Sequence, residues 1–305
     1  AFLGKVWNNL IDMYNKEVVE KIPDKLKPEI ILDYTNNKYG NIIMNLNKQN
    51  DLSIERKKLE KNSNPLYENI FIFFLDAVSR NQFLRRMPKT SRFLNKFFKY
   101  KSKGYHAFQF FKYINFASAT IPNILPMFYG VNHNLRTGIH LIKYLQENGY
   151  ITGQTTDLCS KELGELYLNN KHDEKDNFTF IEFDHENLAM FCDPNYYNSL
   201  GSHGLLLNGP YSLIRRCLYG KDIFDYQIEY AKQFWEAYPD NRKYFRLGIN
   251  LGHESSFELI KYFDDPLYNF LTDFYKNGYF KDTAVFILSD HGNQMPFIYN
   301  IIGSA

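Results

Sequence analysis

Residues Thr283 to Gly292 read TAVFILSDHG. Thr283 to Leu288 form a β-branched and aromatic run too short for an ordinary helix, which reads as a buried strand. Ser289, Asp290, His291 and Gly292 follow at its carboxyl end, the edge where open α/β sheets place their ligands. Asp290 and His291 offer a carboxylate and an imidazole to one cation. Working outward, a second stretch repeats the design. Asn69 to Leu75, NIFIFFL, is another continuous apolar run, and it too ends on an acid, Asp76. Two buried strands that deliver acids to one edge point to a metal site.

Between these strands the pattern alternates. SRNQFLRRMPKTSRFLNKFF, residues 79–98, is a basic amphipathic segment with Phe83, Leu84, Met87 and Leu94 available to a sheet. Its Arg80, Arg85, Arg86 and Lys89 read either as a solvated basic face or as contacts for an anionic substrate. Residues 105–116, YHAFQFFKYINF, are aromatic enough to predict a further strand. In ASATIPN, residues 117–123, Thr120 stands just before Ile121-Pro122 and an apolar run, which describes a helix start. Thr120 there is either a plain N-cap or a hydroxyl placed to meet a phosphate or sulfate group. A helix over 138–148 leads to YITGQTTD, a β-rich segment whose last residue, Asp157, is a third acid at a strand end. Residues 222–238 return to helical spacing, 243–251 predict a strand ending on Gly252-His253-Glu254, and 264–277 predict a helix. This order implies an α/β fold with a mostly parallel central sheet and helices on both faces. Residues 1–65 read as a largely helical N-terminal extension or linker, with helices near 2–20 and 50–61. Residues 66–305 read as one catalytic domain carrying an aperiodic insertion at about 160–220.

Composition sets outer bounds. The chain has 305 residues, 44% of them hydrophobic and 17% aromatic, enough for a sizeable core. Its 36 basic and 34 acidic residues leave a net charge of +2 and give no global electrostatic case for nucleic acid. No apolar run reaches the roughly 18–20 residues of a membrane span. The first residue is not Met and IIGSA follows soon after the opening stretch, so both ends are expected to continue; a membrane anchor upstream and the oligomeric state stay open. Three cysteines, Cys159, Cys192 and Cys217, are too few for a disulfide scaffold. Cys192 and Cys217 are either a bridge across the insertion or two buried thiols. Asn177-Phe178-Thr179 is a glycosylation sequon. The expected compartment is extracellular or lumenal, within the secretory pathway.

Taken together, FLDAVSRNQFLRRMPKT, ATIPNILPMFYG, NLGHESS and GYFKDTAVFILSDHG resemble the alkaline phosphatase and sulfatase superfamily, most closely its DUF229 branch. The resemblance covers about residues 66–305 and does not extend to 1–65; it implies an alkaline-phosphatase-like fold whose C-terminal part is missing from this chain. It implies a metal held by Asp76, Thr120, Asp290 and His291, with Thr120 as nucleophile and His253 steadying a substrate or leaving-group oxygen. Two carboxylates, one imidazole and one hydroxyl suit zinc or manganese rather than calcium. A cation would favour the otherwise weak Thr alkoxide. Asp157, Asp264 and Asp265 are candidates for a second metal or for substrate. Asp76 is followed by Ala77 where sulfatases carry paired acids, and Thr120-Ile121-Pro122-Asn123 lacks their Cys/Ser-x-Pro-x-Arg motif. The expected activity is therefore metal-dependent hydrolysis or transfer of phosphate esters, of phosphodiester or phosphoethanolamine type. The anionic ester would be lipid- or glycan-linked. The alternatives are a catalytically silent interaction module of the same fold and an unrelated α/β hydrolase or binding domain; for the last, no Gly-x-Ser-x-Gly, GxxxxGK[ST] or GxGxxG motif occurs.

Overall fold

The computed structural model describes residues 30–33, 41–61, 63–99, 104–117, 120–129, 141–157, 183–187, 217–218, 221–254 and 258–292. Its centre is a five-stranded, all-parallel sheet in the order β5-β4-β8-β3-β9. These strands are Asn69–Leu75 (β3), Ile151–Thr156 (β4), His185–Asn187 (β5), Lys243–Ile249 (β8) and Thr283–Leu288 (β9). Two short antiparallel pairs lie outside it, Ile30–Asp33 (β1) with Asn41–Met44 (β2) and Cys217–Leu218 (β6) with Lys221–Asp222 (β7). The mostly parallel α/β arrangement agrees with the sequence reading.

Helices cover both faces around β3, which is why it is apolar on successive residues instead of alternating; β9, expected as a buried strand, is instead an edge of the described sheet, and of its residues only Thr283 is buried. Phe71 and Phe73 of β3 and Phe245 of β8 face the helices Ile223–Ala237 and Asp264–Lys276, where they meet Trp235, Phe270 and Phe274. On the opposite face Ile72 and Tyr244 pack with Ile124, Phe128, Ile142 and Leu145. The connection after β3 runs across β8 to β4, whereas the one after β8 runs across β3 to β9. Chain paths therefore diverge at the carboxyl ends of β3 and β8, the position at which such sheets open a crevice.

Several elements differ from expectation. Residues 105–116 are not a strand but an irregular connection with a turn closed by the Tyr113 amide on the Phe110 carbonyl at 3.1 Å. The basic segment is two helices, Arg80–Arg86 and Pro88–Lys99, because Pro88 has no N–H to continue the first. Thr120–Ile124 is α-helical and Leu125–Tyr129 widens to a π-helix around Pro126. The described part of the predicted extension is not separate. Met44 lies in the main core, the Gln49 amide donates to the Tyr238 hydroxyl at 2.8 Å, and Arg56 pairs with Asp184 at 2.8 Å. Helix Asn50–Glu60 thus belongs to the domain, while the helix expected near 2–20 falls outside the described residues. Most of 160–220 also falls outside them, Asn177 and Cys192 included, and of Cys217 only the strand is described. The described part of that segment supplies β5, an edge of the main sheet.

Candidate metal centre

Asp76 follows β3 directly, and its amide still donates to the Ile249 carbonyl of β8 at 2.9 Å. The next residue, Ala77, takes a left-handed φ of 59°, a conformation that costs a non-glycine residue about 1 kcal/mol or more. That turn aims the Ala77 amide at Asp290 Oδ1, 3.3 Å away, so the ends of β3 and β9 are tied together. Ser289 completes the tie, accepting from the Val78 amide at 3.1 Å and donating to the His291 carbonyl at 2.8 Å. Gly252 lies against Asp76 so closely that a Cβ would stand 2.2 Å from the Asp76 carbonyl oxygen. Only glycine lets the turn Leu251–His253 reach the site.

The functional side chains converge here. His253 Nε2 is 3.0 Å from Asp76 Oδ1, and His291 Nε2 is 3.7 Å from the same oxygen. Thr120 Oγ1, brought in by its helix from the other end of a crossover, is 3.0 Å from His291 Nε2 and 3.5 Å from Asp76 Oδ1. Asp290 Oδ2 is 3.4 Å from His291 Nε2. His291 Nδ1 lies 2.7 Å from the Gly292 carbonyl. A carbonyl can only accept, so Nδ1 carries the proton and Nε2 presents a lone pair inward.

This arrangement fits a divalent cation. Ligand-capable atoms of Asp76, His253 and His291 all lie within 4.8 Å of one another. Asp290 Oδ2 is buried and has no hydrogen-bond partner, a costly state for a carboxylate oxygen that a metal ligand would not suffer. The titration behaviour agrees. Burial, then the neighbouring Asp76 charge, pushes Asp290 up to about 6. Burial would raise Asp76 as well, but the hydrogen bond and charge of His253 hold it below the ordinary carboxylate value. His253 is raised above the usual imidazole value, Asp76 and Asp290 outweighing its burial. The two carboxylates crowd one another, a repulsion that a bound cation would offset.

The remaining candidates fall into two groups. Asp157 reaches the same sheet edge but is spent on Asn250: both carboxylate oxygens accept the Asn250 amide, at 3.1 and 3.0 Å, and Oδ1 also accepts its side chain. It braces the turn that carries His253. Asp264 and Asp265, expected near a second metal, are elsewhere. Asp264 accepts the Lys89 and Thr90 amides at 2.9 Å each and so caps the helix Pro88–Lys99 from a neighbouring element. Asp265 pairs with Lys89 at the surface. The sequence reading assigned no role to Asn123. Its buried side chain accepts the Phe116 and Ala117 amides at 2.7 and 2.8 Å and donates to the Ala117 carbonyl at 2.7 Å, fixing the chain just before Thr120. Burial and the Asp290 charge raise the Tyr113 phenol, so this preceding connection lies beside the site.

A family model described as a protein of unknown function (DUF229) matches residues 25–157 and 209–301. The match begins well inside the segment 1–65 that the sequence resemblance left out, in keeping with the packing of Met44 to Glu60 on the sheet. No curated protein matches the chain.

Proposed function

The chain belongs to the DUF229 family, and from that premise we propose that it is a metal-dependent hydrolase or transferase of phosphate esters, of the alkaline phosphatase superfamily, with Thr120 as nucleophile. The observation that carries this reading is the placement of Thr120 Oγ1 between His291 Nε2 and Asp76 Oδ1, at 3.0 and 3.5 Å. A hydroxyl held among carboxylates and a lone-pair imidazole at a cation-type site is a hydroxyl prepared to ionise. Asp76, Thr120, Asp290 and His291 would hold the cation, zinc or manganese by donor type. When bound it would favour the Thr120 alkoxide and offset charge on the transferring group.

The chain's own groups then divide the work. Thr120 Oγ1 forms a bond to phosphorus as the ester P–O bond breaks, and its proton is accepted within the site. His253, whose side chain is 31% exposed where the other imidazole is buried, faces the substrate side. Its pKa, raised above the usual imidazole value by Asp76 and Asp290 against its burial, favours the protonated form, which can give a proton to the departing alcohol oxygen. Water or an acceptor alcohol then displaces the phosphothreonine and restores the hydroxyl. The proposed substrate is an anionic ester on a lipid or glycan. The sequon at Asn177 and the cysteines at 192 and 217 favour a lumenal or extracellular setting. Among the described residues no helix is long and apolar enough to cross a membrane.

The test is hydrolysis of aryl phosphate monoesters, diesters and sulfates by wild type and Thr120→Ala, with and without chelator. Turnover of a phosphate ester that both changes abolish is expected. Bound metal without turnover on any ester would move the reading to a silent module of the same fold.

A further inference from the structure

We propose that the connection 104–117 docks the protein on a bilayer surface carrying anionic headgroups, with the candidate metal centre at the docked face. Phe108, Phe110, Phe111, Ile114 and Phe116 project into solvent, Ile114 at 81% exposure and Phe110 and Phe111 at 73% each, and Tyr113 stands half exposed between them and the metal centre. Single exposed aromatics are ordinary on a protein surface, but six apolar side chains within nine residues form a patch that calls for a partner. The segment is held in place. At one end Tyr105 packs on Phe97 and Tyr275, with centroids 6.1 and 5.5 Å apart. At the other Asn123 binds Phe116 and Ala117. Between them the Phe110–Tyr113 turn presents Phe110, Phe111 and Lys112 outward.

Charge names the partner. Although the whole chain is nearly balanced, there is no acidic residue between Asp76 and Glu147, while twelve lysines and arginines lie there, of which Arg86, Lys89 and Lys143 pair with Glu258, Asp265 and Glu147. Arg80 stands with its guanidinium 5.0 Å from the Phe111 ring centroid and bonds Gln109 of the same connection. Aromatic side chains that enter the headgroup boundary, beside cations that meet anionic lipid, describe an interfacial contact. A single-stranded nucleic acid would use the rings as stacking platforms, but Ile114, the most exposed of the six, offers a base no such surface. The location has a consequence for the centre. Asn123 fastens the connection three residues before Thr120, so docking would turn the mouth of the site toward the bilayer.

The experiment is co-sedimentation of the full chain with vesicles of phosphatidylcholine alone and of phosphatidylcholine and phosphatidylserine in equal parts. Binding to the mixed vesicles is expected to be at least roughly tenfold tighter than to neutral ones and to weaken with salt. The double variant Phe110→Ser/Ile114→Ser, both exposed and outside the core, should lose roughly tenfold in binding while keeping the wild-type melting midpoint. Wild type that ignores both vesicles, or a double variant that binds as well as wild type, would overturn the proposal. So would tight binding to a single-stranded oligonucleotide or concentration-dependent self-association that the double variant abolishes, if vesicle binding is absent. The readout needs no turnover, so it is independent of the proposed reaction.

Discussion

Thr120 Oγ1 lies 3.0 Å from His291 Nε2 although 171 positions separate the two residues in the chain. The contact exists because a helix start on one crossover and the end of β9 meet at the same sheet edge, over Asp76. With the His291 proton fixed on Nδ1 by Gly292, the nitrogen facing Thr120 is a donor to metal or an acceptor from the hydroxyl. Predictions about the site follow from that pairing.

Removing a donor should cost metal. Asp290→Asn and His291→Ala are each expected to weaken zinc or manganese binding by about 10- to 100-fold or more, measured by equilibrium dialysis with metal analysis. Because burial and Asp76 push Asp290 up to about 6, binding must displace a proton below that pH. Affinity should therefore fall as pH drops from 7.5 to 5 and should release protons on the acid side.

His253 should separate binding from chemistry. His253→Ala is expected to keep its metal within a few-fold and to lose roughly 10²-fold in kcat. The loss should be larger for alkyl esters, whose alcohol needs a proton on departure, than for nitrophenyl esters, whose phenolate does not. A loss of metal equal to that in His291→Ala would instead make His253 a ligand.

Asp264 should behave as a cap and not as a ligand. Asp264→Ala leaves the Lys89 and Thr90 amides unmet at the start of their helix and is expected to cost about 1–3 kcal/mol of stability. Metal stoichiometry should be unchanged. Urea unfolding and metal analysis of the same preparation decide it.

Asp157 should impose a pH dependence on stability. Burial pushes its carboxyl up to about 6 from 3.8, against the hydrogen bonds of Asn250. The folded state therefore holds the extra proton between those values. The stability contribution is fully present below pH 3.8 and is lost as pH rises through about 6, a change of about 3 kcal/mol. Asp157→Asn cannot titrate. In metal-free protein its unfolding free energy relative to wild type should rise by about 2 kcal/mol between pH 4.5 and 7.5, and a flat difference would contradict the assignment.

The parts of the fold that were legible are those with local causes. β3 is a continuous apolar run because both faces of the parallel sheet are covered there, whereas β9, an edge of the described sheet, is buried only at Thr283; an acid immediately after either run sits at the carboxyl edge. Asp76, Asp290, His291, His253 and Thr120 were located by that reasoning together with the family resemblance. What escaped depends on distant partners. YHAFQFFKYINF has strand composition, yet no neighbouring strand pairs with it among the described residues, so its rings remain exposed. Asp264 looks like an acid available to a cation until the amides of Lys89 and Thr90 are seen to occupy it. Asp157 reads as a candidate for a second metal or for substrate because nothing in its own segment announces Asn250. Likewise the helix Asn50–Glu60 has a charged sequence and no buried residue of its own, so its attachment through Arg56 and Asp184 was invisible locally.

The most direct test of the central claim is acid quenching of metal-loaded protein during turnover of a phosphate ester, followed by peptide mass analysis. The account predicts a phosphoryl adduct on Thr120, absent from Thr120→Ala and from chelator-treated protein. Turnover that proceeds in Thr120→Ala, with no adduct on Thr120 in wild type, would contradict it.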